Sequence, residues 1–265
     1  MRIFILLSYN GSPFCGWQKQ KNGPSVQESL ESAFSLCLRE RVEITGAGRT
    51  DAGVHALYYV AHLDTSDNKV IKEQQKVLYK INAILPPGVV VHKILHVDDD
   101  SHSRFDATNR TYKYYVHNFK SPFLNNYSYY YPYRLNIEKM NHAAKLILGE
   151  RDFTSMAKLH SGVKTNICNI IHTNWEPASP ISFINQNSLF KEENTQTLCF
   201  TITANRFLRN MVRAIVGTLL EIGKGNYEPK WIIEVLSRKE RGAAGDSVPA
   251  HSLFLTGIEY PYPTF

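Results

Sequence analysis

Apolar residues in this chain switch repeatedly between strand spacing and helix spacing from Arg2 to Tyr260, and that alternation confines the fold to an α+β class. Arg2–Tyr9 is apolar on both faces and reads as a buried strand. A loop with several Gly and Pro breakers follows over residues 10–22. Next comes a helix with Ser25 as N-cap and Glu28 three residues on, the capping-box spacing. Val26, Leu30, Ala33, Phe34 and Cys37 form its apolar stripe. Residues 42–45 and 57–63 read as strands on either side of a glycine-rich loop. Residues 69–84 read as a helix ended by Pro86-Pro87, and 89–97 as a strand. The rhythm then repeats, with strands at 111–118, 198–203 and 253–260 and helices at 138–148 and 207–222. The spacing therefore predicts two similar halves, residues 1–103 and 104–265, each a mainly antiparallel sheet flanked by helices. Residues 177–196 follow neither period and read as an exposed loop or hairpin.

Composition narrows the function classes. Hydrophobic residues at 43% and charged residues at 20% suit a globular chain and exclude a disordered or fibrous one. Residues 3–7, the longest early apolar run, are too short for a membrane span or a signal-peptide core, so the expectation is a soluble, cytoplasmic protein with no membrane contact. Cys15, Cys37, Cys168 and Cys199 form no paired motif, which predicts reduced thiols and no structural zinc. His92 and His96 have metal spacing only on a helix; on a strand they stand about 13 Å apart. The net charge of +6 lies entirely beyond residue 100: residues 1–100 carry 11 basic and 11 acidic side chains, residues 101–265 carry 19 and 13. A basic half with 15 Tyr and 13 Phe in the chain suits either a polyanion partner or a solvated basic surface.

The most unusual string runs Gly46-Ala47-Gly48-Arg49-Thr50-Asp51-Ala52-Gly53-Val54-His55-Ala56. Three glycines between two strands make a loop whose backbone a ligand can approach closely. Read alone, it is either such a site or a tight turn with an Arg49–Asp51 surface pair. It lacks the glycine pattern of a dinucleotide- or phosphate-binding loop. His55 suits backbone hydrogen bonding better than catalysis, and Lys191-Glu192-Glu193 reads as solvated surface. Farther on, Leu208, Val212, Ile215, Leu219 and Ile222 make one helical stripe, with Arg206, Arg209 and Arg213 at i, i+3 and i+7 on another face.

The glycine-rich string resembles the signature loop of the tRNA pseudouridine synthase A family. The likeness continues in family order through Tyr9-Asn10-Gly11, Phe14-Cys15-Gly16-Trp17-Gln18, Pro24-Ser25-Val26-Gln27, Asn82-Ala83-Ile84-Leu85-Pro86 and His102-Ser103-Arg104-Phe105. It extends through Arg110-Thr111-Tyr112-Lys113-Tyr114, residues 149–155, residues 205–213 and Pro249-Ala250-His251-Ser252-Leu253-Phe254-Leu255. One departure is Cys168, where the family often has arginine, so no tRNA contact is assigned there.

The resemblance implies an isomerase that turns uridine into pseudouridine at positions 38, 39 and 40 of the tRNA anticodon stem-loop. It implies a basic RNA-binding cleft between the halves and a cytoplasmic homodimer with tRNA lying across both subunits. The reaction breaks a C–N glycosidic bond and rejoins the base through C5, so it calls for no redox cofactor, nucleotide or metal. Asp51 corresponds to the nucleophile and Arg213 to the cation beside it. Tyr112 corresponds to a tyrosine stacked on the target uracil, a candidate for proton removal at C5. Arg49 is the candidate to fill the gap left by a flipped base. Arg110, beside Tyr112 on the strand, is a substrate-contact candidate, and Phe207 and Leu253 are pocket or core. Arg206 and Arg209 are phosphate contacts or solvated charge. The rival readings are a non-catalytic RNA-binding protein on the same scaffold and a synthase for another RNA. Asp51, Tyr112 and Arg213 weigh against the first, since a pure binder has no use for a carboxylate facing phosphate.

Overall fold

A computed structural model describes residues 1–158, 165–181 and 195–265. Within them the chain forms two compact units, Met1–Arg110 with Leu255–Phe265, and Thr111–Phe254. The fold is α+β, with mixed, mostly antiparallel pairing. No helix among the described residues is long and apolar enough to cross a membrane.

In the first unit, β1 (Arg2–Tyr9) is central. It pairs antiparallel with β3 (His55–Asp64), Ile5 opposite Ala61, and with β4 (Val89–Val97), Ile5 opposite Ile94. The short β2 (Thr45–Gly46) adds to β3, and the last part of the chain, residues 255–259, lies on the other side of β3. Ile3, Phe4, Ile5 and Leu7 are fully buried, as a strand apolar on both faces requires. Ser25 caps α1 (Val26–Leu38), its hydroxyl accepting the Glu28 N–H at 3.2 Å. The single helix expected over 69–84 is two, α2 (Lys69–Lys72) and α3 (Gln74–Ile84), because Glu73 leaves helical geometry at φ −119°, ψ 36°. Helix α3 is locked to β4 by Asn82, whose amide donates to Val91 O at 2.8 Å and accepts the Val91 N–H at 2.9 Å.

The second unit repeats the device on a different sequence. Its strands run in the order β5 (Asn109–His117), β9 (Thr197–Ala204), β8 (Ile167–Pro177), β7 (Gly149–Asp152), with β6 (Tyr129–Tyr130) parallel to the end of β5. From α4 (Ile137–Lys145), Asn141 donates to Trp175 O at 2.9 Å and accepts the Trp175 N–H at 2.8 Å. The core helix α5 (Met211–Lys224) is buried almost all round. It is close-packed at Gly217, where a Cβ would stand 1.8 Å from Asp246 O. A final helix, α6 (Trp231–Arg238), precedes β10 (Leu253–Glu259).

Helix α5 starts four residues later than its periodicity suggests. Asn210 adopts a left-handed conformation at φ 69°, and the preceding segment is tied elsewhere: Arg209 O accepts the Lys158 N–H at 3.0 Å, and Asn205 Oδ1 accepts the Asn169 N–H at 2.9 Å. Arg206 and Arg209 therefore lie before the helix and do not share a helical face with Arg213. Of residues 177–196, positions 182–194, including Lys191, Glu192 and Glu193, lie outside the described residues.

Two buried histidines make the fold acid-sensitive. His62 Nδ1 meets Ser103 Oγ at 2.8 Å, and burial first, then the charges of His102 and Arg2, push its pKa down to about 4. His117 Nδ1 meets Ser128 Oγ at 2.9 Å, and burial, then His251, pushes it down to about 4. Each stays neutral in the folded chain while its unfolded counterpart takes a proton near pH 6.5. Stability is thus complete above pH 6.5 and is lost as pH falls through that value toward 4, by a few kcal/mol on the order-of-magnitude scale of 1.4 per pKa unit. Urea midpoints should fall between pH 6.5 and 5, before most carboxylates titrate; a flat midpoint over that window contradicts the assignment.

Candidate active site

The loop over residues 46–54 runs from β2 to β3, and Gly46, Ala47, Gly48 and Thr50 in it are each held by residues outside it. Gly46 packs flat on two rings: a Cβ there would lie 2.2 Å from the Tyr59 hydroxyl and 2.5 Å from the Trp17 ring. The Ala47 N–H donates to Val60 O at 2.9 Å, and its carbonyl accepts from Arg110 Nη2 at 3.1 Å. The Gly48 carbonyl accepts the Tyr59 hydroxyl. Thr50 is buried, shares a hydroxyl hydrogen bond with Tyr9 at 2.8 Å, and accepts the Trp17 N–H on its carbonyl at 3.2 Å. The loop then closes on itself through the Val54 N–H to Asp51 O at 3.1 Å, with Gly53 at φ +81°.

Beneath the loop, Trp17 and Tyr59 stack at 4.1 Å between ring centroids, and Tyr9 meets Tyr59 edge-on at 5.5 Å. Gly16 at φ +99° brings its backbone so near that a Cβ would reach 2.6 Å from Thr50 O. The Gly11 N–H donates to His55 Nδ1 at 3.1 Å, the backbone role read for that histidine. The outcome is a loop with Thr50 buried, Asp51 half-exposed and Arg49 exposed. A carboxylate so mounted can act at a fixed point without reorganising its backbone.

The other candidates belong to the second unit, except Arg110. Tyr112 is half-buried on β5, and its ring meets Phe207 edge-on at 5.1 Å. Arg213, in the first turn of α5, donates from Nε to Val248 O at 2.7 Å, and its carbonyl accepts the Val248 N–H at 3.3 Å. Arg206 is half-buried, Arg209 exposed and Leu253 buried. Cys168 is fully buried on β8 and burial pushes its thiol up to about 11, with Arg206 opposing the shift. Arg110 directs its guanidinium onto three backbone carbonyls, Ala107, Arg104 and Ala47. Among the described residues no three His, Cys, Asp or Glu side chains are placed to hold a metal ion.

Sequence reasoning assigns no role to Tyr9, Trp17, Tyr59, Gly11 or Gly16. The only sign of them is that Tyr9, Gly11, Gly16 and Trp17 fall inside the blocks that carry the resemblance, while Tyr59 lies on the strand that follows one. Gly46→Ala should lower the thermal midpoint, at a cost of about 1–3 kcal/mol for overpacking buried rings. Gly48→Ala, with no atom within 4 Å of its Cβ, should melt like the parent. Equal midpoints for the two variants would contradict the packing described.

The model of the tRNA pseudouridine synthase family matches residues 5–106 and 143–261. The chain is 48% identical to tRNA pseudouridine synthase A of Bacteroides thetaiotaomicron, over 100% of this chain and 92% of that protein. It is 47% identical to that of Parabacteroides distasonis and 46% to that of Bacteroides fragilis, in both cases over 100% of this chain and 98% of the relative. The chain belongs to the tRNA pseudouridine synthase A family.

Proposed function

We propose that this protein converts uridine to pseudouridine at positions 38, 39 and 40 of the tRNA anticodon stem-loop, with Asp51 as nucleophile. Family membership supports the coarse activity, isomerisation of uridine in tRNA. The observation that carries the choice of nucleophile is Asp51 itself, a half-exposed carboxylate on a loop pinned at Ala47 and Thr50, while the positions in tRNA follow from the family resemblance.

The chemistry sets clear demands. The N1–C1′ bond breaks, the uracil turns, a C5–C1′ bond forms, and the C5 proton leaves to a base while N1 gains one. Attack at the sugar, attack at the base and formation of a glycal all require an ionised carboxylate at one fixed place. By the family resemblance, Arg213 supplies the positive charge that balances the Asp51 carboxylate when RNA excludes water. Tyr112 stacks on the target uracil, with Phe207 steadying its ring, and its hydroxyl is the group for proton transfer at C5. Arg49, exposed two residues before Asp51, fills the space that the flipped uridine leaves. Arg206 and Arg209 contact phosphate. The working enzyme is a cytoplasmic homodimer, and a non-catalytic RNA binder would have no use for the pinned Asp51.

Incubation with unmodified tRNA transcripts, followed by pseudouridine mapping, tests this reading. The parent should modify positions 38–40. Asp51→Asn should fall below about one-hundredth of the parental rate while tRNA affinity stays within a few-fold. Arg213→Ala should also lose its rate at saturating tRNA, because the nucleophile would be left without its counter-charge in a site closed by RNA. Product only outside the anticodon arm, or near-parental turnover by Asp51→Asn, would contradict the proposal.

A further inference from the structure

We infer that Arg110 is a positioning residue that sets the placement of Asp51 by holding the loop's backbone, and is not a contact to RNA. The inference rests on the reading of Asp51 as nucleophile. Arg110 is the second residue of β5 and is half-buried. Its Nη1 donates to Ala107 O at 2.6 Å, and its Nη2 donates to Arg104 O at 2.7 Å and to Ala47 O at 3.1 Å. Two of these acceptors belong to one turn and the third to the loop that carries Asp51.

That turn is itself anchored. His102 N–H donates to Asp106 Oδ2 at 2.7 Å, the Tyr262 hydroxyl donates to the same oxygen at 2.7 Å, and the Asp106 N–H returns to His102 O at 3.1 Å. Arg110 therefore fastens the loop to a fixed point. Ala47 becomes a residue whose N–H is held by β3 and whose carbonyl is held by Arg110, and the next carbonyl, of Gly48, is held by Tyr59. The three bonds leave from two nitrogens held in one plane; an ammonium also has three N–H donors, but from a single nitrogen on a flexible stem, so it does not reproduce this fork. Both N–H groups of Nη2 are engaged, so a phosphate could grip this guanidinium bidentately only by competing with bonds already made. Arg110 also begins the strand that carries Tyr112, so one strand supplies both the loop's anchor and the ring proposed to stack on uracil.

The test uses the full chain with Arg110→Ala and Arg110→Lys, alongside Asp51→Asn. Amide hydrogen exchange is followed at Ala47 and Val54, with single-turnover rates at saturating tRNA and tRNA affinity across a salt series. Both Arg110 variants should exchange at least about tenfold faster at those amides and lose about ten- to a hundredfold in saturated rate, the scale of a small misplacement of a reacting group. Affinity should stay within about twofold with an unchanged salt slope, since no phosphate contact is lost. Intact saturated rate with weaker binding and a shallower salt slope would overturn the inference and make Arg110 a phosphate contact. Unchanged exchange would overturn it too, as would loss of the folded circular-dichroism spectrum in both variants, which indicates a purely structural role. Faster exchange with a parental rate, while Asp51→Asn is inactive, would reject the Arg110 inference and leave the Asp51 reading standing. An active Asp51→Asn enzyme would remove the Asp51 reading whatever Arg110 does.

Discussion

A glycine-rich loop gains close backbone approach at the cost of conformational entropy, so it can hold a carboxylate still only when its own peptide groups find partners outside it. Here those partners come from distant parts of the first unit: Tyr9 and Trp17 near the start of the chain, Tyr59 and Val60 on the strand that follows, and Arg110 at the head of β5. The glycines supply shape and these outside groups supply rigidity. Much else in the unit can be understood as support for that frame. Trp17 is placed by the left-handed turn at Gly16, Tyr9 ends the largely buried strand β1, and Arg110 draws on a turn fixed by Asp106 and Tyr262.

The two units solve a similar packing problem with the same side chain. In each, a helix asparagine makes paired hydrogen bonds to both backbone groups of one strand residue, Asn82 to Val91 and Asn141 to Trp175. This satisfies peptide groups that face a helix where no strand can pair with them. It also fixes the helix along the strand direction, which apolar contacts alone do less sharply. The two asparagines share only a Lys-apolar-Asn string, Lys80-Ile81-Asn82 and Lys139-Met140-Asn141, which is too short to reveal the device in a sequence comparison of the halves.

Much of the fold was legible because it rests on local rules. Ser25 caps α1, β1 is covered on both faces, and β4 begins at Val89 beyond Pro86-Pro87, all from neighbouring residues. What escaped depends on long-range contacts. Periodicity continues through Glu73 and back to Phe207, yet α3 begins only after a local break in helical geometry at Glu73, and α5 begins beyond a segment whose backbone groups are bound elsewhere. The pairing of β7 with β8, Arg151 opposite Cys168, joins segments too short or too irregular to declare a period. At the site the loop itself stood out through its composition, and the resemblance marked Asp51. The frame did not stand out: a Tyr9–Thr50 hydroxyl pair spans 41 residues, and an arginine bonded to carbonyls has the same one-letter signature as one bonded to phosphate.

The central claim is that this fold supplies placement of a carboxylate more than its charge. Asp51→Glu isolates the two, because it keeps the charge and shifts the carboxylate outward by one methylene on an unchanged backbone. The measurement is its single-turnover rate of pseudouridine formation at saturating unmodified tRNA. A loss of about a hundredfold or more, with tRNA affinity unchanged, is the result predicted for a rigidly held nucleophile. A rate within a few-fold of the parent would contradict the account, since it would mean that the loop adjusts to its carboxylate and the frame beneath it does not set the geometry.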